Sequence, residues 1–407
     1  MKYSDAIGYI ESFWKYGIKL GLDRMQYLLN RLGDPHDDFS SVHIAGTNGK
    51  GSICAMTASI LKESGLLVGL YTSPHLINYT ERFKINGKDI SKEKFAKYCG
   101  DIKKIISAYP KRVEEPTEFE ILTAIAFRYF SEQKVDIAVV ETGMGGRLDS
   151  TNVIRPEVCA ITNIDLDHTA ILGKNIRSIA KEKAGIIKDE IAAVVPGSLN
   201  KAALKVIKSV CKKMSSPLII APKVYGKYLK HIKLRGSFQK ENAGVALGVI
   251  NQLRTKGFKI NEKSVKNGFA KTSWPARFQI VQKNPLVIID AGHNPAGINA
   301  VAHELGKKKV IFVLGMLNYK DYAGVVKAAA PFAKMIIASN INHPKSLDPK
   351  IISNEARRIG VDSFSFDEFE CALRYALSSA SKADTVCVAG SHVTAGQALV
   401  FFNGRPR

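Results

Sequence analysis

What this 407-residue chain lacks narrows its class before any motif is read. Its six cysteines, Cys54, Cys99, Cys159, Cys211, Cys371 and Cys387, lie far apart and never as CxxC, which excludes a disulfide framework. Most sit inside apolar runs, as reduced and buried small hydrophobes do. No apolar stretch approaches the roughly 20 residues that cross a bilayer, and the charged N-terminus MKYSDAIGYIESFWKYG does not read as a secretory signal. A cytoplasmic protein with no membrane contact is the expectation. Repeats at solenoid periods and low-complexity segments are missing too. Acidic residues are scarce: 37 Asp and Glu against 59 Lys and Arg leave a net charge of +22. The lysines are dispersed, which fits a solvated surface, a funnel for small polyanions such as nucleotides, or a nucleic-acid surface, and composition alone does not choose.

What is present is a series of β-rich apolar runs: VHIA (42–45), LLVGLY (66–71), DIAVV (136–140), VCAIT (158–162), AAVV (192–195), LVIID (286–290), VIFVLG (310–315), MIIAS (335–339) and TVCVAG (385–390). Strands buried on both faces look like this, and their alternation with helical patterns at 52–64 and 117–133 predicts an α/β fold of doubly wound parallel sheets. The length predicts two domains. TSWPARFQIVQKNP (272–285), with two prolines and polar residues, reads as the linker, giving domains 1–274 and 275–407.

HIAGTNGKGS (43–52) has the layout of a phosphate cradle: a strand, a glycine-rich turn and a helix that brings its positive end to the anion. Lys50 would neutralise phosphate charge and Ser52 would offer a hydroxyl to magnesium. Gly51 separates the two, so the strict pattern G-x-x-x-x-G-K-[ST] fails and a tight structural turn stays open. DIAVV runs into ETGMGGRLDSTN, which places Glu141 at the carboxyl end of a parallel strand, where open α/β sheets bind ligands and a carboxylate suits magnesium. His168, after VCAIT, is a metal or phosphate ligand or a satisfied structural histidine. Lys183, in a helical A-K-E-K-A-G pattern, reads as a solvated helix lysine.

Together HIAGTNGKGS, YTSPHLINYTERFKING (71–87), TEFEILTAIAFRYF (117–130), ETGMGGRLDSTN, ITNIDLDHTAILGKNIRSIAKEKAGIIK (161–188), WPARFQ (274–279) and DAGHNP (290–295) resemble the folylpolyglutamate synthase and dihydrofolate synthase branch of the Mur ligase superfamily. The resemblance implies a P-loop ATPase domain followed by a smaller Rossmann-like α/β domain. It makes Thr47, Asn48, Gly49, Lys50, Gly51 and Ser52 the ATP phosphate loop. Ser52, Ser73, Glu141 and His168 become the shell of one or two magnesium ions, joined by Lys183 as a carbamylated lysine; Lys50, Lys183, His168 and Glu141 carry catalysis. Asn242, Arg277, Asp290 and His293 resemble residues that hold the nucleotide across the domain junction. Lys19 and Leu20 of KLGLDR, with Thr117, Glu118 and Phe119, would contact the pteroyl group, although Phe119 reads equally as core. The chain departs from the family at DAGHNP, where DGAHNP is common, at Ala276, where glycine is usual, at Tyr319-Lys320-Asp321 in place of D-K-D, and at GSHVTAG (390–396).

The implied activity is an ATP-dependent amide ligase that adds L-glutamate to dihydropteroate, to reduced folates, or to both, working as a monomer with ATP and magnesium and without nucleic acid. A peptidoglycan-precursor ligase of the same superfamily is the alternative, disfavoured by the Lys50-Gly51-Ser52 spacing and by YTSPHL. A P-loop module that binds nucleic acid would need clustered basic residues with interleaved aromatics.

Overall fold

A computed structural model describes residues 1–404 apart from Tyr225, Lys307 and Lys308. The chain forms two compact units, the first comprising Met1–Lys233 and Gln239–Thr272, the second Leu234–Phe238 and everything from Ser273 onward.

In the first unit eight strands make one sheet: β1 (Ser40–Ala45), β2 (Val68–Tyr71), β3 (Phe83–Ile85), β4 (Lys88–Asp89), β5 (Ile137–Glu141), β6 (Val158–Ile161), β7 (Ala193–Val195) and β8 (Leu218–Ile220), in the order β4-β3-β2-β5-β1-β6-β7-β8. The strands from β2 to β8 pair in parallel. From Ser41 to Ala45 in β1 and throughout β5 and β6 every residue is buried, as their Val, Ile and Ala content favours, with His43 a polar exception inside β1. Phe83, Phe95, Phe127 and Phe130 lie in the core that joins one face of the sheet to the helices Tyr3–Glu11, Lys92–Ser107 and Glu118–Glu132. The helices Ile176–Ala184 and Lys201–Lys213 contribute to a second core that includes Ala45, Cys159 and Ala193. One part of the sheet is not parallel. β3 and β4 form an antiparallel hairpin on β2, turned by Asn86 (φ +48°) and Gly87 (φ +79°), the positive-φ pair that a two-residue hairpin demands.

The second unit holds a six-stranded sheet of β9 (Gln279–Lys283), β10 (Leu286–Ile289), β11 (Val310–Leu314), β12 (Ala333–Ser339), β13 (Ser363–Phe366) and β14 (Thr385–Ala389), ordered β13-β12-β11-β14-β10-β9. All neighbours are parallel except β9, which pairs antiparallel with β10. QIVQK is therefore an edge strand and not part of a linker: its polar residues sit half-buried at the sheet edge, where alternation with water is tolerated. Five of the six cysteines are buried free thiols and Cys371 is exposed. Among the described residues no helix is long and apolar enough to cross a membrane.

Candidate active site

In the first unit the neighbouring strands β2, β5, β1 and β6 run in parallel and release four loops at their carboxyl ends. These loops carry Ser73, Glu141, the turn 46–49 and His168 respectively. The turn feeds the helix Lys50–Glu63. Gly49 caps that helix at φ +87° without a side-chain cap, so the first-turn N–H groups are presented to an external acceptor. A Cβ at Gly49 would come within 2.6 Å of Asn242 Oδ1, which leaves glycine as the fitting residue.

The turn is pinned by the segment that follows β6. Thr47 N–H donates to Asn163 O at 2.9 Å, Asn48 N–H to Asn163 Oδ1 at 2.8 Å, and Thr162 Oγ1 to Asn48 O at 2.6 Å. A second brace comes from the helix Phe238–Thr255, where Gln239 and Asn242 stand one turn apart. Asn242 Nδ2 donates to Gln239 Oε1 at 2.9 Å, and Gln239 Nε2 donates to the buried Ser52 Oγ at 3.2 Å.

Two lysines meet at one carbonyl. Lys50 Nζ donates to Gly46 O at 3.2 Å and to Thr47 O at 3.3 Å, while Lys183 Nζ donates to Gly46 O at 2.7 Å. Lys183 is 3% exposed, so the expectation of a solvated helix lysine is corrected. Its place in the last turn of the helix Ile176–Ala184 faces it inward, beneath the glycine turn. Burial pulls its pKa down to about 7, with the charge of Lys50 pushing the same way and Asp167 and Asp149 opposing.

Glu141 is 4% exposed and accepts Ser73 N–H at 3.3 Å. His168 has a left-handed backbone (φ +50°) and lies with Nε2 3.8 Å from Asp167 Oδ1. Ser52, Ser73, Glu141 and His168 thus leave the same end of adjacent strands. Among the described residues no three His, Cys, Asp or Glu side chains group as a metal site. One buried carboxylate with hydroxyls suits magnesium, which keeps waters and takes its other oxygens from bound phosphates.

The acceptor-side candidates divide. Phe119 stacks on Tyr71, with ring centroids 6.0 Å apart, and Glu118 Oε1 accepts from Tyr79 OH at 3.2 Å. Thr117 is a helix cap that accepts Glu120 N–H at 3.3 Å. Lys19 pairs with Glu114, and Leu20 is exposed.

In the second unit the buried Asp290, just after β10, accepts Phe278 N–H at 2.8 Å and Gly292 N–H at 2.7 Å. Burial raises its pKa, against the charge of Arg277 and these two N–H groups. Arg277 donates through Nη2 to His392 Nε2 at 3.1 Å, and the His392 ring lies 5.3 Å from that of His293. Ala276 has φ +53°, a left-handed backbone that accounts for a glycine preference there. Gln239, Asn163 and His392 escaped the sequence reading; the three-residue spacing of Gln239 and Asn242 was a signal that could have found the first.

The profile of the Mur ligase middle domain matches residues 44–216 and that of the Mur ligase glutamate ligase domain matches residues 276–392. The dihydrofolate synthase/folylpolyglutamate synthase of Bacillus subtilis is 34% identical over 417 residues, covering 96% of each chain. An Escherichia coli FolC structure with DHPP and ADP is similar at a TM-score of 0.88 and 29% identity, over 100% of this chain and 98% of that one. The bifunctional folylpolyglutamate synthase/dihydrofolate synthase of Yersinia pestis, complexed with AMPPNP and Mn, gives a TM-score of 0.85 and 30% identity over 99% and 98% of the two chains. With a glycine turn braced from two directions, two lysines on its carbonyl and likeness over 96% of its length, the chain belongs to the folylpolyglutamate synthase and dihydrofolate synthase family of Mur ligases.

Proposed function

We propose that this protein is an ATP-dependent ligase that joins the amine of L-glutamate to the carboxylate of dihydropteroate and of reduced folates. The observation that carries the reading is the turn 46–49 with its uncapped helix start and its pair of lysines, in a chain that aligns over 96% of its length with a ligase of this name. A carboxylate resists amines because oxide is a poor leaving group. Attack of a carboxylate oxygen on the γ-phosphorus of ATP breaks the bond to the β-phosphate oxygen, releases ADP and leaves an acyl phosphate. The neutral glutamate amine then adds to the carbonyl carbon, the bond to phosphate breaks, and inorganic phosphate leaves with the electron pair while the amine proton is lost.

Lys50 and the first-turn N–H groups spread the charge of the transferred phosphoryl group, which is the main demand of such a transfer. Asn242 in the first unit, and Arg277, Asp290 and His293 in the second, are assigned to the nucleotide. Residues 1–274 are assigned to ATP and the folate acceptor, and residues 275–407 to the glutamate-ligase part. Ser52, Ser73, Glu141 and His168 would hold magnesium, which offsets phosphate charge when bound. Lys183 is suited to carbamylation: a buried amine with a pKa of about 7 is substantially neutral at pH 7, and its nitrogen can bond to the carbon of CO2 with release of one proton. The product replaces a cation with anionic oxygens. Intact mass higher by one CO2 and a gain of activity with bicarbonate are expected; an unmodified amine in active enzyme, with indifference to bicarbonate, overturns the assignment. All roles fall on one chain, so a monomer suffices, and the free thiols suit the cytoplasm.

The test is phosphate release from ATP, magnesium and L-glutamate with dihydropteroate, with tetrahydrofolate and with no acceptor. Release with both acceptors supports the bifunctional enzyme. Silence with both, in protein that still binds ATP, overturns the reading.

A further inference from the structure

His43 sits in the middle of β1 with no exposure, paired across the sheet with Val140 and Cys159. An imidazole there displaces an aliphatic residue that would bury without cost, so it calls for an account. Nε2 lies 2.8 Å from Thr151 Oγ1. Thr151 Oγ1 in turn donates to Asp149 Oδ1 at 2.5 Å, and Asp149 also accepts Thr151 N–H at 3.1 Å and, on Oδ2, Met144 N–H at 2.8 Å. A hydroxyl has one proton. Since Thr151 gives it to the carboxylate, His43 must be the donor in the first contact, which fixes its tautomer as Nε2–H. Nδ1 is then a bare nitrogen, buried and without a hydrogen-bond partner among the described residues.

Asp149 belongs to the loop that grips the end of the helix bearing Lys183. Arg147 N–H donates to Glu182 O at 2.7 Å, and Asn152 Nδ2 donates to Arg147 O and Gly185 O, both at 3.0 Å. Three residues after His43, β1 has passed into the glycine turn whose Gly46 carbonyl receives both lysines. We infer that His43 is a positioning residue: through Thr151 and Asp149 it ties the strand that carries the phosphate turn to the loop that sets Lys183, keeping the two lysines in register on Gly46. The inference rests on the ligase reading above. A buried polar group left half satisfied is costly as packing but specifies one arrangement when its other half is bonded.

The packing and positioning accounts predict opposite orders for two variants. His43→Leu removes an unpartnered buried nitrogen and fills the space with apolar atoms, so as packing it is neutral or stabilising. His43→Gln keeps an amide nitrogen where Nε2 stood but buries a carbonyl oxygen and a second N–H in place of the one bare nitrogen. The experiment compares both with wild type for melting temperature, kcat, and KM for ATP, glutamate and tetrahydrofolate. Expected are a kcat for His43→Leu at least tenfold below wild type with KM for ATP within twofold and no loss of melting temperature, and a His43→Gln kcat within about threefold of wild type despite a lower melting temperature. Thr151→Val, which removes only the bridging hydroxyl, should reproduce the Leu loss, and combining it with His43→Leu should add nothing further. If His43→Leu fails to fold, Thr151→Val decides alone. Wild-type kcat in Thr151→Val or in His43→Leu, or kcat that merely follows melting temperature in all variants, overturns the inference. Wild-type turnover in the same assay separates this failure from failure of the ligase reading.

Discussion

The phosphate turn and the end of the helix Ile176–Ala184 deliver the same chemical group to the same acceptor by different routes. Lys50 comes from a glycine-rich turn whose backbone is shaped for an anion, and its partly buried amine reaches Gly46 O and Thr47 O. Lys183 comes from an ordinary helical sequence and is made special only by tertiary burial, which drives its pKa to about 7. Burial suits this second lysine to giving its charge up. The contrast shows how a single carbonyl can gather two lysines with little mutual repulsion: near neutral pH they need not both be cations.

Removing charge from the first of these regions gives the largest effect. Lys50→Ala should lower ATP turnover by about a thousandfold while leaving the melting temperature within a few degrees, because its amine serves ligand charge and not packing. A phosphate-release assay beside a thermal scan checks both, and retained turnover ends the cradle assignment.

The second unit sharpens the comparison, because its buried acid is held by backbone alone in the contacts described above. Asp290→Ala leaves the Phe278 and Gly292 N–H groups without their acceptor and should cost about 2–4 kcal/mol in urea unfolding, with Asp290→Asn losing less. Equal stability in all three proteins would contradict the role given to those two bonds.

In the first unit the buried base His43 gives a pH signature. Burial lowers its pKa to about 3, with the charge of Lys188 adding, against 6.5 for an ordinary histidine. Between these values the unfolded chain binds one proton more than the native one, so this group makes stability fall as pH drops from 6.5 towards 3, by about 1.4 kcal/mol per pH unit. His43→Gln should flatten the slope of stability against pH by one proton over that window; an unchanged slope means that the native imidazole is not held neutral.

The smallest change expected is a gain. Ala276→Gly relaxes the left-handed backbone at φ +53° and, after the greater chain entropy of glycine, should add about 0.5–1 kcal/mol.

Where local chemistry dictates structure, the sequence could be read directly. The glycine turn 46–49, Glu141 at a strand end and the alternation of strands and helices all follow from period, glycine placement and capping. Asn86-Gly87 carried a hairpin signal as plain as any in the chain, yet the surrounding apolar runs favour a parallel reading. QIVQK was misread because a half-buried edge strand between prolines has the composition of a linker. Lys183 could be placed only through the family resemblance, since its burial depends on a carbonyl 137 positions away in the chain. The spacing of Gln239 and Asn242 puts both on one helix face, but the partner of Gln239, Ser52, lies 187 positions away and is set by the tertiary fold.

The central claim is that this cradle activates a carboxylate by phosphoryl transfer. The most direct measurement follows oxygen-18 from a labelled acceptor carboxylate during turnover with ATP and L-glutamate. The account predicts one labelled oxygen in the released inorganic phosphate and the other retained in the new amide. Label in AMP, or none transferred while the amide forms, would contradict it.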